Sequence, residues 1–178
     1  MDFLKIHKFN GNAATVEICE SNGVGETITH SITNTNMGST DAANLVVAAY
    51  PITAGNRSYA KYQRVHVTAM GGSSKIDNLQ VWRTGALAGS TTHVTNARTT
   101  SYGGAAAYAT PVATAITGAD QTMPSADQAA ANLGIAGTLA GSLTAIGYSD
   151  YLIHQLVTGA GDVAGNSTTM NYQYDETT

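Results

Sequence analysis

Charge is the scarcest commodity in this chain. Only 11% of its 178 residues are Asp, Glu, Lys or Arg, and the formal net charge is −4. The four lysines and four arginines are scattered. A nucleic-acid binder needs basic groups side by side to displace condensed counterions from phosphates, so direct contact with DNA or RNA is not expected. Cys19 is the only cysteine, which excludes an intrachain disulfide. It also disfavours zinc, since a zinc site draws on several Cys or His and the single Cys19 is expected to have no companion. No apolar run approaches the roughly 18 residues of a membrane span, so no membrane partner is expected. Met1-Asp2-Phe3-Leu4-Lys5 carries an acid where a secretory signal has its basic region, and no apolar stretch follows it. A soluble product made in a cytoplasm is the expectation.

Helix signals are almost missing too. The one candidate is Ser125 to Leu133, with Ser125 as cap and Ala129, Ala130 and Ala131 inside, closed by Gly134 and Gly137. No repeat of fixed period is present, which argues against a solenoid or propeller.

What the chain has in abundance is small residues. Ala, Gly, Ser and Thr supply 84 of the 178. Soluble monomers usually carry about a quarter or more charged residues on their surface. A chain this poor in charge is expected to cover much of its surface in an assembly.

Strand signals are frequent. Phe3 to Phe9 reads as a strand ended by Asn10-Gly11-Asn12, and Ala14 to Cys19 as a second with Val16 and Ile18 on one face. Asn22-Gly23 and Gly25 form a turn into Glu26 to Thr33. Leu45 to Ile52 is mostly apolar, as for a strand buried on both sides. In Tyr59 to Met70, Val65, Val67 and Ala69 alternate with Arg64, His66 and Thr68. Gly71-Gly72-Ser73-Ser74 then leads into Ile76 to Arg83, and the two runs read as a central hairpin. Trp82 falls on the face opposite Leu79 and Val81. Asp150 to Thr158 and Thr168 to Asp175 close the series, with Met170, Tyr172 and Tyr174 alternating with Asn171 and Gln173. The last strand must pair with one far back in the chain. Short extended pieces are expected at Tyr102 to Val112 and Leu133 to Leu143.

Eight to ten short strands with Gly-rich turns predict an all-β fold, an antiparallel β-sandwich of Ig-like or jelly-roll type. The expectation is a single domain over residues 1–178, with long Gly/Ala/Thr-rich loops or arms within 84–147.

Several phrases carry a resemblance. They are Ala48-Ala49-Tyr50-Pro51-Ile52-Thr53-Ala54-Gly55-Asn56-Arg57-Ser58-Tyr59-Ala60-Lys61-Tyr62, Ile76-Asp77-Asn78-Leu79-Gln80-Val81-Trp82, Tyr108-Ala109-Thr110-Pro111-Val112, Gly147-Tyr148-Ser149-Asp150-Tyr151-Leu152-Ile153 and the closing Tyr172-Gln173-Tyr174-Asp175-Glu176. From about residue 40 onward the chain resembles small structural proteins of tailed-bacteriophage virions. These decorate capsids or occupy the head-tail and tail region. The resemblance implies a non-enzymatic virion protein, foremost a capsid decoration or cement protein. Its partners would be the major capsid protein or other virion proteins and further copies of itself, with a trimer as the guess for the homo-oligomer. A neck or tail-associated component is the alternative. The family has no catalytic motif, and none is transferred.

Candidate chemistry is thin. No G-x-S-x-G elbow is present, and His7, His30, His66, His93 and His154 stand far apart in sequence. His66 is expected on a polar face, and His154 as a structural histidine inside a strand. No metal ligand set and no cofactor is assigned, although Asp120, Asp150 and Asp162 offer oxygens that loops could gather around calcium. Trp82, Tyr59 and Tyr62 are the candidates for interface contacts. On a competing reading as a carbohydrate-binding adhesin module, they would form a stacking platform for glycans.

Overall fold

The computed structural model describes residues 3–9, 13–99, 102, 121–125, 142–163, 165 and 168–178. They form eleven strands: β1 (Phe3–Phe9), β2 (Thr15–Asn22), β3 (Thr27–Thr29), β4 (Lys61–Ala69), β5 (Lys75–Thr84), β6 (Thr92–Thr99), β7 (Gln121–Thr122), β8 (Ser142–Leu143), β9 (Gly147–Tyr148), β10 (Tyr151–Val157) and β11 (Thr169–Thr177). Two sheets result. One runs β1-β11-β5-β8; the other runs β3-β2-β4-β10-β6-β7, with β9 added against β4. The fold is an all-β sandwich. The expected helix lies outside the described residues apart from Ser125, as do most of the two extended pieces.

Alternation decides which side chains meet between the sheets. On β4, Val65 and Val67 point inward while Arg64 and His66 point outward. On β2, Ile18 stands opposite Val65, with Glu17 opposite His66 and Cys19 opposite Arg64. On β11, Met170, Tyr172 and Tyr174 face in. The core joins Ile18, Val65, Val67 and Leu152 from one sheet to Ile76, Leu79, Val81 and the three β11 residues from the other. Each fully buried aliphatic side chain contributes about 1.5–3 kcal/mol.

A bulge tunes β5. Gln80 pairs with Gln173 and Asp77 with Asp175, so Asn78 and Leu79 together oppose Tyr174. Asn78 adopts φ 53°, a left-handed conformation that Asn tolerates. The extra residue shifts the alternation by one. Ile76 and Leu79, three apart, therefore both reach the core.

Three expectations need correction. First, β4 and β5 are not a hairpin, because they belong to different sheets. Gly71 and Gly72, at φ 57° and 102°, carry the chain across the sandwich, and the Ser74 amide donates to the Thr177 carbonyl at 2.7 Å. The same glycine pair serves either a hairpin or a crossing, so turn chemistry alone does not separate them. Second, Leu45 to Ile52 is a loop containing a single 3-10 turn at Val47–Ala49, and only Leu45 is buried. Asn44 starts it at φ 51°, its Oδ1 accepting from the Thr33 and Asn34 amides at 2.7 and 3.2 Å. Gly38 and Ser39 hold the far end through Tyr59 and Tyr50. Third, the strand expected over Glu26 to Thr33 shrinks to β3, because Glu26 and Ser31 at φ 58° and 47° break the extended backbone on either side. The antiparallel sandwich itself is as expected, with one parallel pair within it. β11 pairs with β5 as an antiparallel neighbour and with β1 as a parallel one, Phe3 opposite Thr169 through Phe9 opposite Asp175. The two ends of the chain thus lie side by side, which confirms that the last strand pairs far back in the sequence.

Candidate functional site

Three places concentrate chemistry. The first is on the outer face of the larger sheet. The register sets Glu17 beside His66, and the β2–β3 turn brings His30 back next to Cys19. Glu17 Oε1 lies 2.7 Å from both His30 Nδ1 and His66 Nδ1. Cys19 Sγ is 3.4 Å from His30 Nδ1 and 3.8 Å from Glu17 Oε1. One atom from each of the four residues lies within 4.8 Å of every other. The Ser31 hydroxyl donates to the second Glu17 oxygen. The His66 ring stacks on Tyr148, centroids 4.0 Å apart and 10° from parallel, and the Arg64 guanidinium lies 4.0 Å above the same tyrosine ring.

The electrostatics follow. Burial acts to raise the Glu17 pKa, but hydrogen bonds from Ser31, His30 and His66 outweigh it and hold the carboxyl at about 2. Cys19 is fully buried, and that burial, reinforced by the Glu17 charge, pushes its thiol up to about 12. A buried thiol held in its protonated form is no nucleophile. His30 is the open side of the cluster, its side chain 48% exposed. Cys19 therefore does have companions, and the histidines are not isolated: the structure pairs His30 with His66 and His93 with His154. No sequence spacing signals this, because Glu17, Cys19, His30 and His66 meet only once strand register is fixed.

The second place is inside the sandwich. Glu20 Oε1 accepts from Lys61 Nζ at 2.6 Å, and Glu20 Oε2 accepts from Gln63 Nε2 at 3.0 Å. Gln63 Oε1 in turn accepts from the Tyr172 hydroxyl and from His154 Nε2, each at 2.8 Å. His154 Nδ1 must then be the acceptor from His93 Nε2, also 2.8 Å away. Both rings are neutral in this chain of bonds. Burial lowers both pKa values, helped by Arg83 for His93, which falls to about 3, and by His93 and Lys61 for His154. His154 is thus the structural histidine expected, and His66 faces outward as expected.

The third place is an apolar groove of about 310 Å³, lined in part by Met37, Val47, Pro51, Ile52, Leu156 and Val163. Val46 is 65% exposed nearby in the chain, Val163 76%, and Tyr50 is exposed as well. Asp162 ties down one wall of the groove. Its carboxylate accepts from the Ser90 and Gly159 amides at 2.8 Å and from the Thr91 hydroxyl at 2.6 Å. These bonds, that of Thr91 foremost, hold its pKa at about 2. Asp150 is buried, and Asp120 lies outside the described residues.

The aromatic candidates fall elsewhere. Tyr62 is wholly buried in a cluster with Ala60, Tyr151 and Ile153. Trp82 lies on the face opposite Leu79 and Val81, as expected, yet is only 7% exposed. Tyr59 is half-buried. Rings this enclosed cannot lie flat against a sugar, so Trp82 and Tyr62 supply no glycan platform.

Compared with known protein families, curated proteins and solved structures, the chain matches none.

Proposed function

We propose that this chain is a non-enzymatic structural subunit of a virion, foremost a decoration protein that binds and stabilises an assembled shell. The observation that carries the reading is the apolar groove flanked by exposed Val46, Val47, Tyr50 and Val163, on a chain with 11% charged residues. Scattered exposed apolar side chains are ordinary, but a groove lined and rimmed by them marks a surface that another chain covers. Backbone in the Val46–Pro51 loop is already fixed by the Asn44 contacts and the Ser39–Tyr50 hydrogen bond, which lowers the ordering cost of docking. The virion setting rests on the phrase resemblance. The buried state of Trp82 and Tyr62 removes the support for an adhesin module.

The test is the assembly state of the purified chain. Light scattering over a range of concentrations is expected to give a closed oligomer, a trimer on this reading. The double variant Val47→Asp, Val163→Asp is expected to shift it to monomer without loss of fold. A chain that stays monomeric at every concentration and binds no shell protein overturns the proposal.

A further inference from the structure

We propose that Glu17, Cys19, His30 and His66 form a four-ligand site for a transition-metal dication, with zinc the best match. The proposal stands independently of the virion reading.

The donor set is the first ground. Two imidazole nitrogens, a thiolate and a carboxylate oxygen are what a tetrahedral zinc site uses, and the harder ions calcium and magnesium take oxygen alone. A thiolate and a carboxylate together neutralise a divalent ion, so binding leaves no net charge on a partly buried site.

Geometry is the second. Around tetrahedral zinc, with bonds of about 2.0–2.3 Å, neighbouring donors stand about 3.3–3.6 Å apart. Cys19 Sγ and His30 Nδ1 are already 3.4 Å apart, and Cys19 Sγ and Glu17 Oε1 3.8 Å. The two 2.7 Å contacts from Glu17 to the histidines are hydrogen bonds. They must open by about 0.7 Å, the difference from a spacing near 3.4 Å, when an ion replaces the bridging protons, which move to the Nε2 atoms of the two neutral rings.

The surroundings are the third. Ligands of a metal are normally oriented by further hydrogen bonds and packing. Here Ser31 occupies the other Glu17 oxygen, so that Oε1, which already meets both histidines, is the oxygen turned to the cluster. Tyr148 fixes the plane of His66, and Arg64 braces Tyr148 from above. Cys19 is buried while His30 is half in solvent, which gives an ion a way in. Bound there, it would join β2, β4 and the segment after β3, clamping the edge of the larger sheet.

The test uses tag-free full-length chain titrated with zinc alone and cobalt alone. One ion per chain is expected, with submicromolar affinity for zinc. The cobalt form is expected to show a thiolate-to-metal charge-transfer band in the near ultraviolet that Cys19→Ser abolishes. Zinc binding is expected to release about one proton, that of the Cys19 thiol. Zinc at a hundredfold excess over Kd is expected to raise Tm by roughly 5–10 °C. Cys19 lies in the interior and its variant could misfold, so His30→Ala, at a half-exposed position, is the decisive control. It is expected to weaken zinc by more than about a hundredfold, beyond what losing a supporting hydrogen bond costs. Absence of binding, a cobalt spectrum without the thiolate band, or equal affinity in wild type and His30→Ala overturns the proposal.

Discussion

Acid is expected to weaken this fold well above the range where carboxylates titrate, and His93 sets the size of the effect. In the folded chain its pKa lies at about 3, because the ring is wholly buried and Arg83 opposes a further charge. In the unfolded chain it returns to about 6.5. Between these values the unfolded state holds a proton that the folded state lacks. Unfolding therefore takes up protons, and stability falls as pH drops from about 6.5 toward 3, by about 1.4 kcal/mol per pH unit. By pH 5 the loss from His93 alone is about 2 kcal/mol, against a typical total of 5–15 kcal/mol. His154 shifts in the same direction and adds to it. A proton added to His154 at Nδ1 would also set two N–H groups against each other across the 2.8 Å contact. Glu17 does not confuse the measurement: its depressed pKa gives stability that is present above about 4.5 and is lost only as pH falls toward 2. The assay is urea unfolding at intervals from pH 7.5 to 4.5. The free energy is expected to be nearly level above about pH 7 and to decline below about pH 6.5, and His93→Gln, which keeps an N–H donor for His154, is expected to flatten that slope by about one proton. Stability that is constant from pH 7 to 5, or an unchanged slope in His93→Gln, refutes the neutral buried pair.

Other outcomes follow from single contacts. Lys61→Met leaves the Glu20 carboxylate buried with its 2.6 Å ion partner gone, and is expected to cost about 3–5 kcal/mol in urea unfolding. Replacing Glu20 and Lys61 together with apolar residues is expected to cost much less than that. Gly71→Ala places a Cβ 1.7 Å from the Ala13 carbonyl oxygen at φ 57°, and is expected to cost at least about 2 kcal/mol. Gly72→Ala, with nothing within 4 Å, is expected to cost only the backbone strain of about 1 kcal/mol. Val47→Asp and Val163→Asp, both on exposed side chains, are expected to change monomer stability by less than about 0.5 kcal/mol while abolishing association.

Much of the sandwich was legible because alternation is a local property. Val65 and Val67 on β4, and Met170, Tyr172 and Tyr174 on β11, announce an inward face regardless of their partners. Pairing is not local. Gly71-Gly72 marks a reversal but not which sheet the chain joins next, and the apolar run from Leu45 to Ile52 has no alternation to distinguish a strand from a loop. The bulge at Asn78 left no trace in the pattern beyond the odd spacing of Ile76 and Leu79. The metal-ligand cluster was invisible for the same reason. Glu17 and His66 are neighbours only through the β2–β4 register, and His30 reaches Cys19 only because the turn after Asn22 has its particular length. Tyr62 and Trp82 were candidates for outward contacts and both are buried: Tyr62 packs with Tyr151, Ile153 and Tyr102, and Trp82 is only 7% exposed, the burial that a lone tryptophan in a sandwich more often has.

Whether the chain belongs to a virion is tested most directly by antibody labelling of intact particles under the electron microscope, using serum raised against the purified sandwich. Regular labelling on the shell, with the groove facing a neighbouring subunit in the reconstructed density, is the predicted result. Purified particles that carry none of the chain, while the infected cell contains it in quantity, contradict it.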